Sequence, residues 1–195
     1  PGAGCMTRTA VAEVEHRDDD AEQQLDDGRM HLSRGGLGIP RSDNAEQRVG
    51  IRFASVALPR RAEIVDARIR FEVDQARTGD VRVRIVGEAS GNPARYPSSD
   101  WALTRRNETS AGVAWHDLPE APVDDGVRTS DLSPILSELV RRSDWRDGHA
   151  MAFMFHRDGG SAATQRSFES RDGEPVNAPK LVVRYRSTVQ PTDTG

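Results

Sequence analysis

Cysteine is almost absent from this chain of 195 residues; Cys5 is the single one. That excludes an internal disulfide framework and a cysteine-rich zinc site. Lysine is equally scarce. Of 27 basic residues only Lys180 is a lysine, and the arginines are scattered among 31 acidic residues without a basic stripe. A net charge of −4 with that scatter leaves no electrostatic footprint for nucleic acid. Long apolar runs are missing too. No window reaches the roughly 18 residues that a membrane helix needs. Catalytic signatures are equally thin. There is no G-x-S-x-G elbow. The histidines (His16, His31, His116, His149, His156) form no H-E-x-x-H or close pair. Gly35-Gly36-Leu37-Gly38 is not a phosphate loop, because no buried strand runs into it and no helix follows. Aromatics are few: three Trp, two Tyr and five Phe. Each large ring therefore belongs either to the core or to a binding surface.

What is present is a period of two. The apolar fraction, 35%, is low and the charged fraction, 30%, is high, which fits a thin two-layer core or unpacked tails. In Ile64 to Val73, Ala67, Ile69, Phe71 and Val73 alternate with Asp66, Arg68, Arg70 and Glu72. Val81 to Ala89 repeats this with Val83 and Ile85 inward and Arg82 and Arg84 outward. The two segments read as a hairpin through the turn 74–80. Gln47 to Leu58 alternates and then slips phase, which suggests a bulge or bend. Further strands are expected at 102–106, 112–116, 149–156, 163–169 and 180–186. The segment 149–156 is apolar on both faces and so central. Ile69, Phe71, Val83, Ile85, Phe153 and Val183 are the expected core. Trp115 and Trp145 are expected to pack inside, the latter under a helix. That helix, at about 131–142, carries Leu132, Ile135, Leu136, Leu139 and Val140 on one stripe, with Pro134 in its first turn. Residues 1–24 and 188–195 lack apolar periodicity. They are expected to be a disordered or tethering segment and a linker or tail, around a domain at 25–187. Many short strands with one helix predict an all-β, jelly-roll-like β-sandwich.

Three stretches carry a family resemblance. Leu58-Pro59-Arg60-Arg61-Ala62-Glu63-Ile64 through Phe71 is similar to the P-x-G-A-x-I-x-x-A-x-L-x-F pattern of DNRLRE-type domains. Asp131 to Val140 followed by Trp145-Arg146-Asp147-Gly148 resembles that family's helix and W-x-x-G. Phe168-Glu169-Ser170-Arg171-Asp172-Gly173 with Ala178-Pro179-Lys180-Leu181 to Tyr185 resembles its closing turn and final strand. Arg61 stands where the family prefers Gly, so a different turn is expected there. The resemblance spans roughly 25–187. It implies a jelly-roll related to carbohydrate-binding modules, an extracellular setting and an accessory role, with no catalytic residues to carry over.

The functional expectations follow. Tyr96 and Trp101 lie in a segment of Pro, Ser, Asp and Ala, where strand alternation cannot bury them. They are candidate stacking platforms for a polysaccharide or cell-surface matrix. Asp19, Asp20 and Glu22, with Asp43-Asn44 and Asp124-Asp125, are candidate oxygen donors for calcium, since that ion takes carboxylates and loop carbonyls. Pro1-Gly2-Ala3-Gly4-Cys5 resembles the end of a lipoprotein signal, which makes Cys5 a candidate lipidation site. The leading expectation is a non-catalytic carbohydrate-binding or surface accessory module, flanked by neighbouring domains. A structural spacer and a small hydrolase with a carboxylate site are the alternatives.

Overall fold

The computed structural model describes residues 5–42 and 45–188. Its strands are β1 (Cys5–Glu13), β2 (Asp20–Gln24), β3 (Met30–His31), β4 (Gly36–Ile39), β5 (Arg41–Ser42), β6 (Ala45–Phe53), β7 (Glu63–Gln75), β8 (Val81–Glu88), β9 (Glu108–Trp115), β10 (Gly126–Arg128), β11 (Met151–Gly160), β12 (Arg166–Glu169) and β13 (Lys180–Thr188). The helix α1 spans Ser133–Arg141. The strands form two sheets. The first runs β1-β13-β7-β12-β4 with β10 also on β7; the second runs β3-β2-β6-β11-β8-β9 with β5 on β6. Every pairing is antiparallel. The fold is thus an all-β sandwich with one short helix among the described residues.

Alternation sorts the side chains as expected. Ile69, Phe71, Val83, Ile85, Phe153 and Val183 are fully buried. Arg70, Arg82 and Arg84 are exposed and Arg68 is half-buried. Trp115 is buried, and so is Trp145, whose indole N–H donates to the Leu58 carbonyl at 3.0 Å. The stripe of α1 closes one end of the core with Ile135, Leu136, Leu139 and Val140. Its N-cap residue, Leu132, offers no side-chain cap; the carboxylate of Asp131, one residue earlier, accepts from the Ser133 N–H at 3.0 Å and hydroxyl at 2.9 Å. The same carboxylate accepts from the Ala67 N–H at 2.9 Å, which ties the helix to β7.

Four expectations are corrected. First, 64–89 is not a hairpin: β7 lies in the first sheet and β8 in the second. Alternation reveals which face of a strand is buried, not which strand it pairs with, and the connector 76–80 crosses between the layers. Second, 102–106 is a turn rather than a strand. Third, the phase slip after Phe53 is the end of β6, and Val56 and Leu58 then enter the core from an irregular segment. Fourth, residues 5–24 are packed. β1 covers β13 with Ala10 and Ala12 turned inward, and β2 is an inner strand beside β6. The boundary expected at residue 25 therefore cuts through the sandwich. At the other end β13 runs to Thr188, and 189–195 lie outside the described residues.

Arg61 takes φ 64°, the left-handed region that suits glycine. Its N–H donates to the Val140 carbonyl at 2.9 Å, which holds the turn against α1. A side chain in that conformation costs about 1–2 kcal/mol, part of which glycine returns as unfolded-state entropy. Arg61→Gly is therefore expected to stabilise the fold by about 0.5–1 kcal/mol. Urea melts check this; a destabilised variant would mean that the Arg61 side chain, not its backbone, governs the turn.

Candidate functional site

The outer face of the second sheet is built in two halves. One half is covered. There β2, β6 and β11 present Ala21, Gly50 and Ala152, and these small residues leave a trough that the segment 93–106 fills with Tyr96, Ala102 and Leu103. A Cβ at Gly50 would fall 2.8 Å from the Tyr96 ring and 2.6 Å from Leu103. Glycine in mid-strand thus marks a close approach. Gln23 anchors the segment: its side-chain carbonyl accepts from the Leu103 N–H at 2.8 Å and the Thr104 N–H at 3.1 Å.

Tyr96 therefore corrects the expected platform pair. It is 2% exposed. Its N–H donates to the Asp18 carbonyl at 3.0 Å, and the Arg106 guanidinium lies over its ring at 4.4 Å. Burial drives its hydroxyl pKa well above the ordinary value. The sequence offers only one forward signal for this, Gly50 on β6 and Ala152 on β11, whose missing side chains make room for a covering ring.

Trp101 behaves differently. It is 36% exposed and held at φ 63°. A bulky residue in left-handed backbone is a genuine outlier. Its conformation is fixed by its N–H donating to the Gly28 carbonyl at 2.8 Å, and by its carbonyl accepting from the Thr104 hydroxyl at 3.1 Å. The indole lies against Gly28, itself at φ 80°, where a Cβ would run into the ring. The turn 98–105 and the turn 25–29 thus lock one Trp partly in solvent.

The three acidic candidates do not converge. Asp19 is buried, and its Oδ1 accepts from Arg52 at 2.5 Å. Asp20 and Glu22 point to the interior of the sandwich, since their partners on β6 are Ile51 and Val49. Asp20 accepts from the Arg171 N–H at 2.8 Å. Glu22 accepts from the Gly38 N–H and the Gln47 side chain, each at 2.8 Å, and sits 3.3 Å from Arg34. Each carboxylate serves a separate donor set, and among the described residues no three His, Cys, Asp or Glu side chains gather as a metal site. Calcium on Asp19, Asp20 and Glu22 is thereby corrected. Asp124 and Asp125 occupy an exposed turn, with Asp124 at φ 67°. Asp43 and Asn44 lie outside the described residues, as does the side chain of Cys5, which opens β1.

The Asp20 contact also explains the segment Ser170-Arg171-Asp172-Gly173. Its backbone docks on β2 through Asp20, and the Ser170 hydroxyl donates to the Arg34 carbonyl at 2.6 Å and accepts from the Gly173 N–H at 3.0 Å. This turn is a clasp between the end of β12 and the N-terminal strands.

Comparison with known proteins adds little. No family model and no curated protein matches the chain. Among solved structures it is similar to the T13 viral particle of IBDV, at 12% identity and a TM-score of 0.26, over 92% of this chain and 35% of the other. The chain thus spans about a third of that protein's length. It is also similar to a thermostable Cel12A cellulase derived from the Rhodothermus marinus enzyme, at 18% identity and a TM-score of 0.24, over 85% and 95% of the two chains. No helix among the described residues is long and apolar enough to cross a membrane.

Proposed function

We propose that this β-sandwich is a non-catalytic module of a secreted or surface protein, of the DNRLRE type, that binds polysaccharide through Trp101. One observation carries the reading: a Trp held about a third exposed, in a backbone conformation that costs about 1–3 kcal/mol. The part of the indole on Gly28 contributes to folding, but the part left in solvent does not offset the backbone cost. A strained residue that presents an indole to solvent is accounted for if the exposed surface meets a ligand. Sugar rings offer an apolar C–H face that stacks on an indole. Such contacts are weak, with dissociation constants of about micromolar to millimolar; retention on a polymer then depends on multivalency.

The test is retention on insoluble polysaccharides. Trp101→Ala is expected to abolish it, while Trp101→Phe, which keeps a planar face, retains part. Trp101→Gly separates binding from stability. It removes the indole and relieves the backbone, so it is expected to melt higher than Trp101→Ala by about 1 kcal/mol of stability while binding no better. If Trp101→Ala is retained as well as the parent, the binding reading fails and the module is a spacer.

A further inference from the structure

The outer face of the first sheet carries a different pattern, which stands independently of Trp101. Across three neighbouring strands the register places Lys180 opposite Arg70, and Arg70 opposite Arg128. Directly opposed side chains have Cβ atoms about 4.5–5.5 Å apart, and like charges there repel. Partners at the margins are Glu13, 3.2 Å from Lys180, and Glu72, 3.7 Å from Arg70. Beside this row, Arg68 and Arg184 flank Val182, and a recess of about 260 Å³ opens between Asp66, Arg68, Arg70, Arg128, Val182 and Arg184. Four guanidinium groups face one carboxylate there. Arg68 is engaged, with Asp66 at 3.1 Å and with the Thr129 carbonyl at 2.9 Å. The side chains of Arg128 and Arg184 make no hydrogen bond or ion pair among the described residues. The Arg70 guanidinium lies close over Gly126, 3.1 Å from where a Cβ would stand, so the missing side chain lets the fork lie flat against β10.

We propose that this recess is a binding site for a tetrahedral oxyanion, a sulfate or phosphate ester. The chemistry selects that class. An arginine fork binds two oxygens side by side, so a planar carboxylate can take two forks at most. Here forks come from β7, β10 and β13, around a recess rather than along a line. Three or more forks are satisfied by an anion whose oxygens point in several directions. The lining residues carry three surplus positive charges, of which a phosphate monoester dianion offsets two and a sulfate ester one. The half-buried Val182 forms an apolar floor, which lowers the competition from water.

The experiment is titration calorimetry on the full chain with dextran sulfate, inorganic polyphosphate and carboxymethyl dextran. At least one tetrahedral probe is expected to bind, at least about tenfold more tightly than the carboxylate polymer. Preference for dextran sulfate identifies a sulfate ester and preference for polyphosphate a phosphate ester. Arg128→Gln with Arg184→Gln is expected to weaken that binding about tenfold per arginine and to flatten its salt dependence. Both positions are exposed and their side chains hold no ion pair or hydrogen bond, so the melting temperature of the double variant should change little. Trp101→Ala should leave this binding unchanged, which keeps it separate from polysaccharide stacking. Equal binding of the wild type and the double variant, or equal binding of the carboxylate and tetrahedral polymers, overturns the proposal.

Discussion

Replacing Phe71 by alanine is expected to cost about 3–5 kcal/mol of stability. Phe71 sits on β7 at the point where the two sheets meet. Its ring stacks on Phe168 of the same sheet at 4.6 Å between centroids and on Trp115 of the other at 5.9 Å, and meets Phe155 edge-on at 5.8 Å. Three of its contacts are thus aromatic, each worth about 0.5–1.5 kcal/mol beyond the area it buries. The residue is wholly buried and the neighbouring rings come from three different strands, so no single backbone shift can collapse the cavity. Arg70→Ala, one position away on the outer face, should change stability by less than about 0.5 kcal/mol. Guanidinium melts of the two variants measure the contrast directly. A loss below about 1 kcal/mol for Phe71→Ala would mean that the aromatic cluster does not hold the sheets together.

This residue was legible in the sequence because its strand obeys strict alternation with charged neighbours. Where both conditions hold, in β7 from Asp66 to Val73 and in β8 from Val81 to Ile85, the inward face can be read directly. Pairing could not be read, since register and partner are set by contacts far apart in sequence. That is why β7 and β8 resemble a hairpin while lying in opposite layers. The N-terminal strands were hidden for a different reason. The inward residues of β1 are Ala10 and Ala12, with Val11 turned outward at 57% exposure, so the hydrophobic contrast between its faces is reversed. On β2 the inward residues are Asp20 and Glu22. Composition marks such a segment as solvated, and only distant partners such as Arg171 and Gly38 make burial possible. The candidate site was half legible. Trp101 and Tyr96 look alike in sequence, yet one faces a glycine trough on a sheet and the other a turn, and nothing local distinguishes those surroundings.

The buried acid on β2 gives a second large effect, and its direction depends on pH. Burial raises the pKa of Asp20 from 3.8 to about 7. The hydrogen bond from the Arg171 N–H opposes that shift, and the nearby Asp172, Asp19 and Glu22 add to it. Below 3.8 the carboxyl is protonated in both the folded and the unfolded chain and exerts no penalty. Between 3.8 and 7 the unfolded chain releases the proton while the fold retains it, so stability falls as pH rises. Above 7 the carboxylate is charged in both states and the full penalty, up to about 4 kcal/mol, is present. Asparagine keeps an acceptor for the Arg171 N–H and carries no charge at any pH. Asp20→Asn is therefore expected to be more stable than the wild type by about 2–4 kcal/mol at pH 8, with the difference closing towards pH 4. Urea melts of both chains at pH 4, 6 and 8 measure this, and their difference cancels the titrating groups that do not interact with Asp20. A gap that stays constant across that range would mean that Asp20 titrates alike in the folded and unfolded chain. A gap that grows towards low pH would mean that the carboxylate is favoured by the fold, with the contact to the Ser170–Gly173 clasp outweighing burial.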